Sequence, residues 1–540
     1  MKIRFILSAV VGLIAIHGQS LSAGEFLPPD RSIAQAVDHY IDEELSERGV
    51  SPAEQTNDAN LIRRTTLDLA GRIPTLAETH AYINSTDENK REQLIDRLLA
   101  APDFVRQQVN EFNTLLMFGS GRDLRNYLTK AFTENRSWDK MFREMLTGDQ
   151  NDEQQREATQ FVRARAKDLD NLANQASVTF FGINVSCAQC HDHPLVGEWT
   201  QDHFYGMKSF FSRTFENGDF IGERDYGVVK YETTGGEERT ARLMFLSGTV
   251  VDEPESTEPN GDEQKQEKKR LEELKKKKQP PPAPKFSRRS QLVEVALRPN
   301  ENILFAKAIV NRIWYRLYGY GIVMPIDQMH PENPPSHPQL LDWLAGDLID
   351  HNYDLRRLIR GLVATKAYSR SSRWASEERP SRSLFAVANV RTLTPHQYAA
   401  SLKFASTNPE VFSAEMKPDA VQSRIAGIQN ASNGLASLFE QPQDDFQVSV
   451  TEALLLSNND RIMNDLVRDA GDTLVGKLKN IEDNKEVAQA AIWNVYSRAP
   501  EGEEVEALMN YLASRQDRRN EAIRQVVWAL LASSECRFNY

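Results

Sequence analysis

Residues 168–194 read DLDNLANQASVTFFGINVSCAQCHDHP and give the clearest periodic pattern in the chain. Small and apolar side chains recur there at spacings of three and four residues: Ala173, Ala176, Phe180, Ile183, Cys187 and Cys190. Residues at these spacings share one face of an α-helix. Pro194 ends the pattern, since proline disrupts a helix interior. We therefore predict one helix that carries both cysteines.

The same periodicity extends outward and predicts a mainly α fold with two helical domains. The first domain covers residues 30–251, with a small β-insert at 225–251 where β-branched and aromatic residues flank a Thr-Thr-Gly-Gly turn. Residues 252–290 are charged and Pro-rich, so we predict a disordered linker. The second domain covers residues 291–540, with predicted helices that include 449–457 and 460–478.

Composition excludes several classes of protein. The 540 residues carry a formal net charge of −12, whereas nucleic-acid-binding domains usually have a basic surplus. A mean hydropathy of −0.54 excludes a polytopic membrane protein. The three cysteines, Cys187, Cys190 and Cys536, are too few for a disulfide scaffold.

The N-terminus has the pattern of an export signal over residues 1–23. Lys2 and Arg4 precede an apolar segment at 5–16, and small residues follow it. Cleavage near residues 22–24 predicts a periplasmic or extracellular protein, with an uncleaved anchor as the alternative. No later apolar run has the length of a membrane helix, so no transmembrane span is expected after cleavage.

The Cys-x-x-Cys-His motif at residues 187–191 is typical of c-type haem attachment. On a helix, positions i, i+3 and i+4 lie on one face. Cys187 and Cys190 would form thioethers with one porphyrin, and His191 would ligate its iron. Haem attachment of this kind takes place outside the cytoplasmic membrane, which agrees with the predicted export. The sequence thus predicts haem c and an extracytoplasmic electron-transfer role.

Other interpretations of the two cysteines remain open. They form a disulfide in one alternative. In another, Cys187 and Cys190 join His193 and His203 in a site for zinc or another divalent metal. In a third, they fill an apolar helix face and bind no cofactor.

A second axial ligand has no diagnostic spacing. The candidates are His203, Met207, Met329 and His330. A six-coordinate iron would favour electron transfer, and a five-coordinate iron would bind small ligands.

No catalytic residue is assigned from the sequence, and whether the chain is an enzyme stays open. Asp327 and His337 lie in a Pro-rich loop and would serve a hydrolase, although His337 also suits a structural place beside a helix start. We find no Gly-rich phosphate loop, H-E-x-x-H motif or G-x-S-x-G motif.

Several long motifs resemble a family of exported planctomycete proteins with two domains of unknown function. The first, cytochrome-associated domain is matched by residues 180–182, 187–194, 199–201 and 210–211. The partner domain is matched by Asn311-Arg312-Ile313-Trp314, by the run Asn333-Pro334-Pro335-Ser336-His337-Pro338 with 340–345, and by 391–394, 453–458 and 528–533.

The resemblance implies an extracytoplasmic redox or glycan-related role by association. Implied partners are a redox protein, a secreted sulfatase-like protein or a polysaccharide. This chain has no fused cytochrome domain, so any haem is expected at Cys187, Cys190 and His191. The alternative function is a non-redox scaffold or glycan-binding protein in which the Cys pair is a disulfide or a metal site.

Overall fold

The computed structural model describes residues 26–192, 196–197, 199–299, 301–412, 415–442 and 464–540. The predicted signal peptide at 1–23, the predicted helix at 449–457 and the candidate ligand His193 lie outside these ranges. Within them the fold is mainly α-helical, which confirms the predicted fold class. The strands of the described residues pair two by two.

The chain before the first strand is helical. Ser32 and Gln35 form a capping box at the first helix, and Thr75 and Glu78 form one at the third. The helices are α1 Ile33–Glu47, α2 Asp58–Ala70, α3 Leu76–Ile83, α4 Lys90–Ala100, α5 Pro102–Met117, α6 Arg125–Thr133, α7 Trp138–Thr147, α8 Glu153–Ala158, α9 Gln160–Arg163, α10 Leu169–Phe181 and α11 Gln201–Phe211.

Three antiparallel hairpins follow α11. The second and third lie in the predicted β-insert, and the first begins in a stretch predicted to be helical. Their strands are β1 Thr214–Asn217 with β2 Phe220–Glu223, β3 Lys230–Glu232 with β4 Glu238–Thr240, and β5 Leu243–Met244 with β6 Val250–Val251.

The predicted linker contains a helix, α12 Gly261–Lys276, where disorder was expected. Asn260 and Glu263 form a capping box at its start, and Lys and Glu are good helix formers. None of its residues is buried, as its composition predicts. The helix rests on the β1–β2 hairpin, where the Asn217 side chain donates to the Leu271 carbonyl at 3.1 Å.

Helices resume after the linker. The predicted helix at 460–478 is interrupted: residues 464–466 are helical, 467–473 are not, and a short helix begins at Leu474, where Thr473 is the N-cap. The elements are α13 Arg288–Ala296, α14 Asn302–Tyr318, α15 Pro338–Asp350, α16 Leu355–Val363, β7 Arg391–Thr392, α17 Pro395–Ala405, α18 Pro418–Ala436, α19 Leu474–Leu478, α20 Asn484–Tyr496, α21 Gly502–Ala513, α22 Arg519–Leu531, α23 Ser534–Arg537 and β8 Phe538–Asn539, with β7 and β8 antiparallel.

The hydrophobic core does not divide at the linker. One cluster of buried residues extends from Ile33 to Val387 and includes side chains from both predicted domains. Trp138 of α7 and Phe305 of α14 stack within it, with ring centroids 6.0 Å apart. A second cluster lies mostly after residue 390. The predicted domain boundary at 252–290 is thus not a core boundary, because α13 and α14 pack back onto the N-terminal helices.

In the described part of the chain, every helix is too short or too polar to span a lipid bilayer.

Candidate functional site

The helix before the cysteines ends earlier than the sequence predicted. Gly182 terminates α10 with φ 66° and ψ 24°, a left-handed conformation that glycine adopts without strain. A Cβ atom at Gly182 would lie 2.6 Å from Met329 Sδ. The prediction of one helix through both cysteines is therefore wrong: Cys187 and Cys190 lie beyond its end.

The backbone after Gly182 pairs with the loop at residues 326–330. Met329 N–H donates to the Gly182 carbonyl at 2.9 Å, and Asn184 N–H donates to the Asp327 carbonyl at 2.9 Å. Ile183 and Gln328 form an antiparallel bridge. These contacts bring two of the proposed axial ligands, Met329 and His330, beside the segment that leads into the Cys-x-x-Cys-His motif.

Residues 186–192, here called the Cys-His loop, begin with a 3₁₀ turn at Ser186–Gln189. Cys187 lies within this turn and Cys190 is the residue that ends it, in place of the predicted α-helix. Both are exposed free cysteines, whereas Ala188 between them is buried and anchors the turn.

The His191 imidazole is exposed at the end of the Cys-His loop. Its Nδ1 lies 2.7 Å from the Asp192 carbonyl oxygen. Because a carbonyl only accepts, Nδ1 carries the hydrogen, and the neutral ring then has its lone pair on Nε2. The Asp192 side chain is also engaged, since its Oδ1 accepts from the Gln201 N–H at 3.1 Å. The loop therefore fixes the tautomer of His191.

Two side chains of helix α11 hold the Cys-His loop in place. Gln201 and Tyr205 both donate to the Gln189 carbonyl, at 3.4 and 3.2 Å. The sequence marks 199–201 as one of the stretches shared with the family, but it does not identify Tyr205. Burial raises the pKa of Tyr205, and the charges of Asp170 and Cys190 raise it further. The sequence signal for Tyr205 was its position four residues after Gln201, because residues i and i+4 lie on one face of a helix.

The four proposed axial ligands differ in their surroundings. Met207 is fully buried in the core, so it cannot reach a surface ligand without unpacking α11. His203 accepts the Thr200 N–H at Nδ1 and so caps α11. His330 packs edge-on against Trp199, with ring centroids 5.7 Å apart, and burial lowers the pKa of His330. Met329 is 8% exposed against Gly182.

The alternative metal site combines Cys187, Cys190, His193 and His203. Over the described residues, which omit His193, no three His, Cys, Asp or Glu side chains converge as metal ligands. The cap that His203 forms occupies one of its two ring nitrogens.

The hydrolase alternative rests on Asp327 and His337. His337 is 4% exposed, and it is itself the N-cap residue of α15. Its ring contacts Phe385, and burial lowers the pKa of His337 to about 4. The imidazole is therefore neutral at pH 7 and enclosed, as expected for a structural residue beside a helix start.

The described features define a class: a mainly helical protein that presents two free thiols and an imidazole on one short surface loop. Two family profiles match the sequence. The profile described as PSCyt2, protein of unknown function (DUF1549), matches residues 36–216. The profile described as PSD1, protein of unknown function (DUF1553), matches residues 288–512. The chain belongs to the family that joins these two domains in this order. No curated protein and no solved structure matches the chain.

Proposed function

We propose that the Cys-His loop binds one haem c through Cys187 and Cys190, with His191 as an axial ligand, and that the protein transfers electrons outside the cytoplasm. The exposure of both thiols supports this proposal, since covalent attachment needs accessible sulfur atoms. The 3₁₀ turn also keeps the two cysteines within one short, defined segment, since Cys187 lies in it and Cys190 ends it.

The observation that carries the proposal is the fixed tautomer of His191. The hydrogen bond from Nδ1 to the Asp192 carbonyl leaves Nε2 free of its hydrogen. Protein histidines that ligate metals commonly donate their other ring N–H to a carbonyl or carboxylate, which orients the ring and raises its basicity. Haem iron supplies one-electron redox chemistry when it is bound. The donor set of two thiols and one oriented imidazole fits this group.

The remaining contacts of the loop suit a site that must stay rigid. Gln201 and Tyr205 hold the Gln189 carbonyl, and Gln201 N–H holds the Asp192 carboxylate. Hydrogen bonds that hold the surrounding residues in place limit the structural rearrangement of the site during electron transfer. The partner in this proposal is a soluble redox protein of the same compartment.

Export is part of the proposal and rests on the residue pattern of positions 1–23. Expression of the full chain in a bacterium that exports proteins, followed by fractionation and N-terminal sequencing, tests it. We expect a mature N-terminus near residues 22–24. Retention of residues 1–23 in the cytoplasmic fraction would contradict it.

Haem attachment is tested in a host that has cytochrome c maturation machinery. The purified protein should show a c-type pyridine haemochrome spectrum and an intact mass increased by one haem. The double variant Cys187→Ala/Cys190→Ala should lose both signals. The matched control Cys536→Ala, which alters the buried third thiol, should keep them. An unmodified mass for the wild-type chain would exclude covalent haem.

The same preparation separates the alternative, a non-redox scaffold or glycan-binding protein. A Cys187–Cys190 disulfide lowers the mass by two hydrogens and removes two titratable thiols. A metal site gives zinc or another divalent ion in elemental analysis, and that ion should be lost with Cys187→Ala.

A further inference from the structure

A cavity of about 310 Å³ lies beside α14, and no residue of the Cys-His loop lines it. Three elements supply its arginines: α14, the 3₁₀ turn Arg382–Leu384, and β7. We call it the arginine cavity. Its volume lies in the range of small-molecule sites. The arginines that line it are Arg312, Arg316, Arg382 and Arg391.

Two of these arginines lack a carboxylate partner. Arg312 donates to the Val178 carbonyl at 2.6 Å, and Arg316 donates to the Gln108 side chain at 2.9 Å. Among the residues that the structure describes, neither forms an ion pair. The Nε atom of each is buried, and the same set of residues offers it no hydrogen-bond acceptor. The cavity is therefore faced by guanidinium groups whose charge no described carboxylate pairs directly.

The spacing of Arg312 and Arg316 suits a single ligand. They are four residues apart, so their like charges lie on one face of α14. Burial lowers the pKa of Arg312 to about 10, and it lowers the pKa of Arg316 as well. An arginine with a pKa near 10 is still protonated at pH 7. An anion in the cavity would pair with these two charges.

Nearby carboxylates attract these two arginines, Asp327 acting on Arg312 and Glu111 and Asp68 on Arg316, but in the described part of the chain none forms an ion pair with them. Asp68 is already bound by Arg391, whose two terminal nitrogens donate to its oxygens at 2.7 and 2.8 Å. Glu111 accepts from Gln107 at 2.9 Å, and burial raises the pKa of Glu111. The balance of the cavity is therefore cationic.

The rest of the lining is divided between polar and apolar residues. The polar ones include Gln107, Thr394 and Asn539. The apolar wall comes from α5 and α14 and from the residue before Asp327: Phe112, Leu115, Ile309, Ile313 and Ile326. Walls of this kind favour a compact apolar body rather than a hydrated one.

We propose that the arginine cavity binds a small organic carboxylate with an apolar ring, its carboxylate between Arg312 and Arg316. Arginine forks match carboxylate geometry, and such charge-assisted hydrogen bonds are stronger than neutral ones. The site is independent of the Cys-His loop, so it does not depend on haem binding.

Isothermal titration calorimetry with sodium benzoate tests the proposal on the full mature chain. Benzoate should bind at least tenfold more tightly than benzyl alcohol, its neutral counterpart. It should also bind more tightly than inorganic sulfate, which has charge but no ring. Equal affinity for benzoate and benzyl alcohol would overturn the carboxylate part of the proposal. Tighter binding of glucuronate than of benzoate would overturn the apolar-ring part.

Variants locate the binding. Arg316→Gln should weaken benzoate binding at least tenfold, and Arg382→Gln, at the exposed rim, should weaken it less. Arg373→Gln is the matched control, because Arg373 is exposed and pairs with Glu501 elsewhere. Glu111→Gln removes a competing carboxylate and should tighten binding about threefold. Structural damage alone would not tighten binding, so the tighter binding of Glu111→Gln is the more specific result. An unchanged or weaker affinity in that variant would overturn the site. An unchanged affinity in Arg316→Gln would overturn it as well.

Discussion

The Cys-His loop and the buried group of residues around Asp68, here called the Asp68 cluster, position their polar groups in opposite ways. In the loop, the thiols and the His191 ring are exposed, and the contacts that position them go to backbone carbonyls. In the Asp68 cluster, the Asp68 carboxylate is 3% exposed and is bound by three side chains: Arg391, Tyr368 and Asn539. The loop therefore leaves its reactive atoms available, and the cluster uses its polar atoms internally.

This difference assigns different roles to the two regions. A buried carboxylate whose oxygens are all engaged has nothing left for a ligand, so the Asp68 cluster is a structural joint. It ties α2 to β7, to the segment after α16 and to β8. An exposed imidazole with a fixed tautomer is arranged to bind something. The predictions below test this contrast, beginning with the largest effect.

Breaking the Asp68 cluster should have the largest effect on stability. Asp68→Asn leaves Arg391 buried without its counter-charge, and removal of one partner of a buried pair typically costs about 3–5 kcal/mol. We expect the free energy of unfolding in urea to fall by that amount. The control is Asp96→Asn, in the exposed pair with Arg360, where the expected loss is about 0–1 kcal/mol. Similar losses in the two variants would contradict a structural role for the cluster.

Replacing Gly182 should loosen the loop at its base. Gly182→Ala imposes a left-handed conformation on alanine and places its Cβ against Met329. The expected cost is about 2–3 kcal/mol, of which backbone strain accounts for about 1–2 kcal/mol. Gly119→Ala separates the two terms, because Gly119 has φ 71° but no atom within 4 Å of its Cβ position. That control should lose only the strain term.

Hydrogen exchange gives a local measurement for the same pair of variants. The amides of Asn184 and Met329 hydrogen-bond across the junction between the two loops. Their exchange should accelerate in Gly182→Ala and stay unchanged in Gly119→Ala. Equal exchange in both variants would show that the junction does not depend on Gly182.

The sequence predicted the motif and the helical class, but not the local geometry of the loop. The reason is the range of the contacts. Gly182 is needed because Met329, far along the chain, packs against it, and no local pattern reports this. Asp68 likewise looks like an ordinary polar residue of α2, because its partners lie at positions 368, 391 and 539. Periodicity reports which face is buried, whereas these contacts depend on tertiary packing.

In the linker, local composition predicted the burial of the residues but not their conformation. Its Lys and Glu residues predicted that it would bury nothing, and α12 has no buried residue. The same residues are strong helix formers and can pair at i and i+4, so low hydrophobicity did not mean absence of structure. Composition predicted the burial of this segment better than its conformation.

The buried His337 and the half-buried His396 should make stability depend on pH. Burial lowers the pKa of His337 to about 4 and that of His396 to about 4, against about 6.5 in an unfolded chain. Between pH 6.5 and 4 the unfolded chain binds protons that the folded chain does not, so stability falls as the pH falls. Each histidine should cost about 2 kcal/mol between pH 7 and 5.

Urea unfolding of His337→Phe across this pH range measures one of the two contributions. The variant should lose about half of the histidine-dependent fall, because His396 still titrates. His39→Gln, at an exposed position on α1, should keep the full dependence. An unchanged pH profile in His337→Phe would mean that His337 is not buried as neutral imidazole.

The three thiols give the smallest change in stability and the sharpest test of the contrast. Cys187→Ala and Cys190→Ala should change the free energy of unfolding by less than about 0.5 kcal/mol, as expected for exposed positions. Cys536→Ala should cost about 1–2 kcal/mol, because Cys536 is 4% exposed and packs in the second core cluster.

Burial also raises the pKa of Cys536 to about 12, so little thiolate exists at pH 8. In protein made without haem, Ellman's reagent should therefore modify two thiols at once and the third roughly a hundredfold more slowly, at the rate of unfolding. Three equally fast thiols would refute the burial of Cys536. One slow thiol alone would mean that Cys187 and Cys190 are already joined, and the loop could then not offer its sulfur atoms to a haem.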